Sequence, residues 1–581
     1  MNFFISLTTR IRNSRHRLRH HLSDDRAVLT LSMLAIITGL LSGIVIQGFR
    51  LCLETPELLG FSSDFTLRTP LNNAITVFSG AMILAFFLRS FGKNLPSMGV
   101  AHVLDRMMNY HGRMPAKAAI LQFFAASLCI LTGQSSGREG PAIHFGAATS
   151  SLFAEWLKLP SNSIRILAGC GVASAIAASF NTPIAGVIFA MEVILLEYSI
   201  IGFIPVILAA TSGTFISLWI YGDQPAFTHP SLLPHSFHEL PLFILTGVAA
   251  GLLSAGFCYL SKFCLKFSHL SIITRFAIAG GVTALFGIFI PEILGIGYDN
   301  VNNAFNHSLS VQLLIGIVIA KLLTSCVSQG LGMPIGIIGP TLVVGACLGS
   351  GIYGMVNTFA PDVIQADALY PMIGMGAMMA AVMNAPLAAL TALIELTGST
   401  EVVLPAMVGI IIANLTCTQI FKQEAPHIIK LHAMGTHQLN SAFEALLERV
   451  GIAKLMTQRV YIINNTDISA KAYQAISNQK PRWIIFNDPE HPAFAVKSSA
   501  LLAKSEAPTH APLSIMDLSI KHWQLQPVDY QRSALEGYEQ LKQSNVDCLL
   551  VENLFDQYGS PIKGIVEMAD FENYFHKPRH F

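Results

Sequence analysis

Glu139 stands in Gly137–Arg138–Glu139–Gly140–Pro141, between stretches that carry almost no charge. A carboxylate in such a setting costs about 3 kcal/mol or more unless it is paired or faces water, which makes it a functional candidate. The flanking glycines make a turn, and Pro141 stands at the first helical position, where its missing N–H costs nothing. Free first-turn amides and the helix dipole, roughly half a positive charge, then form an anion site without any cationic side chain. Gly339–Pro340 repeats the arrangement, and two such ends converging would hold a small anion in apolar surroundings. The Glu139 carboxylate could itself occupy that site, and protonation would release it, which describes a gate or a proton carrier. The bland alternative is a first-turn acid that satisfies its own helix end, paired with Arg138.

Glu192 and Glu395 are also acids deep in apolar runs. Their symmetrical placement favours a structural role, capping or bonding a neighbouring broken helix. His144 reads as a packing histidine. His235 and His238 form HxxH before Glu239, but in a Pro-rich loop without helical context, which argues against a metal site. Nine cysteines show neither CxxC spacing nor histidine companions, so no disulfide framework and no zinc is expected.

Positioning these groups requires a membrane block. The chain of 581 residues is 52% hydrophobic and 12% charged, with a mean hydropathy of +0.53, which excludes an ordinary soluble protein. Only 30 charged residues fall in positions 27–421, against 33 in the last 160. Three parts follow: a basic head over 1–26, a membrane domain over 27–421 and, after a linker over 422–454, a soluble α/β domain over 455–581. Arginines 10, 12, 15, 17 and 19 in the head hold the N-terminus in the cytoplasm by the positive-inside rule. A net charge of +1 argues against nucleic acid as a partner. Apolar runs such as 27–49, 118–137, 166–191, 198–222, 242–261, 368–394 and 402–421 are long enough to span about 30 Å of hydrocarbon. The charge-free run 322–361 holds Gly330, Gly332, Pro334, Gly336, Gly339 and Pro340, so it reads as two segments meeting inside the membrane.

The block also repeats itself. Pro141–Gly146 matches Pro340–Gly345, and Asn181–Thr–Pro183–Ile–Ala185 leading to Glu192 matches Asn384–Ala–Pro386–Leu–Ala388 leading to Glu395. Interrupted segments at matching positions of two halves point to a transport site near the bilayer midplane.

GREGP at 137–141, NTPIAGVIFAME at 181–192, GIIGP at 336–340 and NAPLAALTALIE at 384–395 together resemble the CLC chloride channel and transporter family. The resemblance covers about residues 30–421 and implies an all-α polytopic fold, two inverted repeats of tilted and broken helices, and a homodimer with one anion pathway per subunit. It implies Glu139 as the external gating glutamate. The anion path it implies involves Met98, Gly99, Arg138, Gly140, Pro141, Ile337, Ile338, Gly339 and Ile428, with backbone amides as the ligands. Three departures stand out. Methionine 98 replaces the anion-binding serine of the family's GSGIP segment, a serine the fluoride branch also lacks, and Ser97 substitutes only if the register slips by one. Val193 stands at the inner proton-relay position, where many exchangers have an acid. Ile428 stands where a pore tyrosine is expected.

Leu455–Met456–Thr457 and Gly564–Asp570 look like the start and end of a CBS pair, completing the resemblance. There an aspartate at the position of Asp570 bonds a nucleotide ribose, but Glu567 would repel a phosphate. A dimerising or gating scaffold is therefore favoured over an adenine-nucleotide site, and chloride is the one expected ligand, with no cofactor. The reading is a gated chloride channel in the cell membrane, multi-pass, with both termini cytoplasmic, because valine at 193 cannot carry a proton. The alternative is a proton-coupled chloride or fluoride antiporter of the same fold. A membrane-embedded enzyme has no HExxH, Cys/His cluster or nucleophile elbow to support it, and a cation-coupled organic-solute transporter would share the repeat.

Overall fold

The structure, a computed structural model, describes residues 27–58, 65–92, 98–197, 200–222, 227, 237–359, 368–434, 447, 450–488, 492–505, 512–544, 546–553 and 561–576. The basic head, Ser97 and His235 lie outside the described residues. The chain divides into a larger unit, 31–156 with 164–437, and a smaller one made mainly of 438–581.

The first half of the apolar part runs through α1 (Ala27–Leu58), α2 (Pro70–Phe91), α3 (Val100–Asn109), α4 (Ala116–Leu131), α5 (Glu139–Trp156), α6 (Ser161–Phe180), α7 (Pro183–Phe189) and α8 (Ile200–Tyr221). The second runs through α9 (Leu240–Leu265), α10 (Ile272–Phe289), α11 (Tyr298–Phe305), α12 (Val311–Gly330), α13 (Ile338–Phe359), α14 (Leu369–Met383), α15 (Pro386–Thr397), α16 (Val403–Leu415) and α17 (Pro426–Ala433). Among the described residues nine helices are long and apolar enough to cross a membrane. Their outward faces carry large apolar side chains such as Trp219, 79% exposed, and Phe289, 75% exposed, which lipid accommodates and water does not.

Two of the expected single spans are broken. Asn181 (φ 61°) separates α6 from α7, and Asn384 (φ 52°) separates α14 from α15. Asparagine is one of the few residues that tolerates this left-handed backbone, and the following Pro183 and Pro386 open the next helix. Leu322–Pro361 does divide into two helices, α12 and α13, joined by the turn 331–337.

The amides freed at each break are taken by the other repeat. Glu192 accepts from Leu387 N–H (3.3 Å) and Ala388 N–H (2.8 Å) at the start of α15. Glu395 accepts from Ile184 N–H (2.9 Å) and Ala185 N–H (2.7 Å) at the start of α7. The repeat extends to packing: α5 crosses α6 at Gly146 and Gly171, and α13 crosses α14 at Gly345 and Gly374. A Cβ on Gly146 would lie 2.2 Å from Gly171 O, and one on Gly345 2.3 Å from Gly374 O, so both crossings need bare backbone.

The first part of the expected linker is helix α17, which belongs to the larger unit. Pro426 opens it, and Ile429 and Leu431 are buried.

The smaller unit holds β1 (Val460–Ile463), β2 (Asp467–Ile468), α18 (Ala470–Gln479), β3 (Trp483–Phe486), β4 (Phe494–Lys497), α19 (Ser498–Lys504), β5 (Leu513–Ser514), β6 (Trp523–Asp529), α20 (Ala534–Gln543), β7 (Cys548–Glu552), β8 (Ile562–Glu567) and α21 (Met568–His576). Its sheet order is β1-β3-β4-β6-β7-β8, with β1–β3 and β6–β7 parallel and β3–β4, β4–β6 and β7–β8 antiparallel. Each half is thus a strand, a helix, a parallel strand, an antiparallel strand and a helix, the plan of a CBS-like pair.

Removing one carboxylate clamp should loosen the opposite repeat. Glu395→Ala leaves two helix-end amides unpaired, at about 1–3 kcal/mol, so a lower unfolding temperature in detergent is expected. An unfolding temperature equal to that of the unaltered protein would show that the clamp contributes nothing.

Candidate functional site

The turns that precede α5 and α13 meet as a reciprocal pair. Gly137 N–H donates to Gly336 O (2.8 Å) and Gly336 N–H to Gly137 O (3.1 Å). This exchange satisfies irregular backbone that lipid could not, and brings the two helix starts together. Glu139, 1% exposed, lies at the junction. One carboxylate oxygen accepts from Gly339 N–H at 3.0 Å, in the first turn of α13, and the other accepts from the Tyr298 hydroxyl. The carboxylate therefore sits at the positive end of a helix in the opposite repeat, where an anion would bind. A Cβ on Gly137 would lie 2.8 Å from the backbone nitrogen of Gly339 and would push the Glu139 carboxylate from its place, so the close approach of the two turns needs glycine here.

Two cavities adjoin this junction. One is lined by Met98, Gly99, Gly140, Ile337 and Ile338 together with Met383, His427 and Lys430. The amides of Ile337 and Ile338, at the start of α13, have no intrahelical partner and are available to an anion. Gly99 opens α3 at φ 84°, a backbone that an L side chain would strain. The second cavity is lined by Glu139 itself and by apolar groups including Ile176, Phe180, Phe189 and Met379.

The two helices that begin at the first cavity, α3 and α5, are locked by a histidine pair. Arg106 Nε donates to His102 Nε2 (3.2 Å), so His102 carries its proton on Nδ1 and shares it with His144 Nε2 (3.1 Å). Both rings are fully buried, and His144 Nδ1 has no hydrogen-bond partner among the described residues.

Not every expected site residue points at the anion path. Arg138 turns away: Nη2 donates to Ser179 O (2.8 Å) near the C-terminal end of α6, where the helix dipole favours a cation. Its guanidinium also lies over the Phe180 and Tyr298 rings. Pro141 is buried and lines neither cavity; it is the third residue of α5 rather than the first, because the helix already begins at Glu139, and its missing N–H still costs nothing within the first turn. The Gly339 amide is taken by Glu139. Ile428 lines neither cavity, because on a helix the face that presents His427 and Lys430, three residues apart, excludes the residue between them. Val193 is buried in a π-helical turn over Ala190–Leu195 and lines neither cavity. His238 is exposed and Glu239 accepts from Tyr370 Oη (2.9 Å). Among the described residues no cluster suited to a metal ion exists.

The family model described as voltage gated chloride channel matches residues 80–418. The chain belongs to the CLC family. The H(+)/Cl(-) exchange transporter ClcA of Vibrio vulnificus (strain YJ016) is 26% identical over 414 residues, covering 69% of this chain and 88% of that protein. A putative chloride channel protein, ClcB-like, of Ralstonia nicotianae (strain ATCC BAA-1114 / GMI1000) is 28% identical over 347 residues, covering 58% of this chain and 80% of that protein. The crystal structure of a eukaryotic CLC transporter superposes with a TM-score of 0.60 at 16% identity, covering 94% of this chain and 98% of that one. This CLC protein is a multi-pass membrane protein of an anion-transporting family.

Sequence reasoning missed His427 and Lys430, which line the first cavity, and Tyr298, which holds the Glu139 carboxylate. Tyr298 opens the short helix α11, too brief to show periodicity, and its one signal was the Gly295–Ile–Gly297 loop before it. That loop is pinned by Lys321, fully buried on α12, whose Nζ donates to Ile293 O (3.0 Å) and Gly295 O (3.2 Å). In the CBS-like unit, Asp570 caps α21 by accepting from Glu567 N–H (2.9 Å) and from Arg482 Nη1 (3.4 Å). Glu567 pairs with Arg482 and, at 3.7 Å, with Lys497.

A hydrogen bond to a charged group contributes about 1.5–3 kcal/mol. Tyr298→Phe should therefore free the Glu139 carboxylate more often and raise chloride flux at neutral pH by about tenfold. Unaltered flux in reconstituted liposomes would show that the tyrosine does not hold the closed state.

Proposed function

We propose that this chain exchanges chloride for protons across a cell membrane, with Glu139 as the shared element of both movements. The observation that carries this reading is the Glu139 carboxylate at the amide of Gly339. An anion and a charged carboxylate cannot occupy one helix end together, so each anion that enters must displace the carboxylate. In the apolar second cavity a displaced carboxylate is costly when charged, which favours taking up a proton. Binding an anion and binding a proton are thereby linked through one side chain. The curated relative in Vibrio vulnificus, named an H(+)/Cl(-) exchange transporter, supports the same reading.

The gated channel remains the second reading, and Val193 favours it, because the valine cannot relay a proton. Under the exchange reading protons reach Glu139 by a route that avoids position 193. We read the chain as a transporter and not an enzyme. Both cavities lie within one chain, which fits a homodimer whose subunits each carry a complete pathway. The arginines of the head favour cytoplasmic termini. The CBS-like unit acts as a scaffold, since Arg482 and Lys497, the cations that could hold a phosphate there, are already engaged by Glu567 and Asp570.

Glu139→Gln imitates the protonated acid, so it should carry chloride independently of pH and without moving protons. Flux in the variant that still follows pH as in the unaltered protein would sink the assignment of Glu139. Titrating the full-length protein with ATP should give no saturable heat, and a stoichiometric binding curve would contradict the scaffold role.

A further inference from the structure

The first cavity holds a group that the family motifs do not supply. The two positions where a hydroxyl is expected carry Met98 and Ile428, so the cavity lacks those donors. What it has instead comes from α17. Lys430 lines the cavity and pairs with no carboxylate among the described residues. The charged group that bears on it is a second cation, Arg275 on α10, which is held by Leu331 O at 3.2 Å. His427, one turn away and 94% buried, lines the same cavity, and its Nδ1 has no hydrogen-bond partner among the described residues. Gln329 lines it too, with a carboxamide oxygen that has no partner among the described residues; a flip of that amide turns a donor inward.

An ammonium lining a cavity in which no carboxylate among the described residues pairs with it is left for an anion to complete. The anion amides of α13 open on the same cavity. We infer that Lys430, assisted by His427, is the side-chain ligand that draws a small inorganic anion to the amides of Ile337 and Ile338, in place of the missing hydroxyls. A compact ammonium attracts by charge and imposes little directional preference. The vestibule thus selects small anions by charge, where hydroxyl donors would select by hydrogen-bond geometry. The assignment rests on the anion-transport reading proposed above.

The test is initial chloride flux against chloride concentration, using the full chain reconstituted in liposomes with valinomycin present. Lys430→Met and Lys430→Gln, two neutral variants of different polarity, should raise the chloride KM by about tenfold while the maximal rate changes less. Lys430→Arg should restore a KM near that of the unaltered protein, and the dependence of KM on ionic strength should weaken only in the neutral variants. A packing role would instead lower the maximal rate in all three variants together, and that result would overturn the assignment. So would an unchanged KM in either neutral variant. Absence of chloride flux in the unaltered protein would overturn the transport reading itself, a failure distinct from that of Lys430.

Discussion

A carboxylate of one repeat bonded to a backbone amide of the other is the interaction on which this molecule turns. For the Glu139 carboxylate to reach Gly339 N–H, two interrupted membrane segments must bring their helix starts together, and the reciprocal pairing of Gly137 with Gly336 does so. In surroundings with little water the attraction between a charge and a helix end is several times stronger than at a surface. The same physics that makes the carboxylate sit there makes the site attractive to a small anion. A small anion and the carboxylate would then compete for one place, which is the basis of the exchange proposed above.

The rest of the architecture serves that junction. Broken helices in a membrane leave amides that lipid cannot satisfy. Here Glu192 and Glu395 satisfy them, each across the repeat boundary, so the two halves hold each other's breaks closed. Lys321 fixes the loop that delivers Tyr298, and the His102–His144 contact fixes α3 against α5. Buried polar groups of this kind are costly singly and specify one arrangement when each finds its partner.

Much of this was legible in the residues. The duplicated Pro-to-Gly and Asn-to-Glu spacings mark the repeat because backbone breaks demand particular residues, and such demands survive in sequence. The breaks at Asn181 and Asn384 were less visible: hydropathy averages across a single left-handed residue, so each pair of short helices reads as one span. Tyr298 and Lys430 left almost no local signal, since their roles arise from chain brought together across the fold, with Tyr298 and Glu139 separated by 159 positions. The turning away of Arg138 and Ile428 is likewise a matter of helix phase and of a carbonyl at the end of α6, which spacing within the motif does not encode.

The central claim is that chloride competes with the Glu139 carboxylate for one helix end and that the displaced carboxylate takes up a proton, so that the two ions are exchanged. It is tested most directly by recording chloride and proton movement together from liposomes holding the unaltered protein, with the voltage clamped by valinomycin and an imposed chloride gradient. The account predicts that the chloride gradient drives protons against their own gradient in a fixed ratio. Chloride movement with no uphill proton movement would contradict it and identify a passive gated conduit.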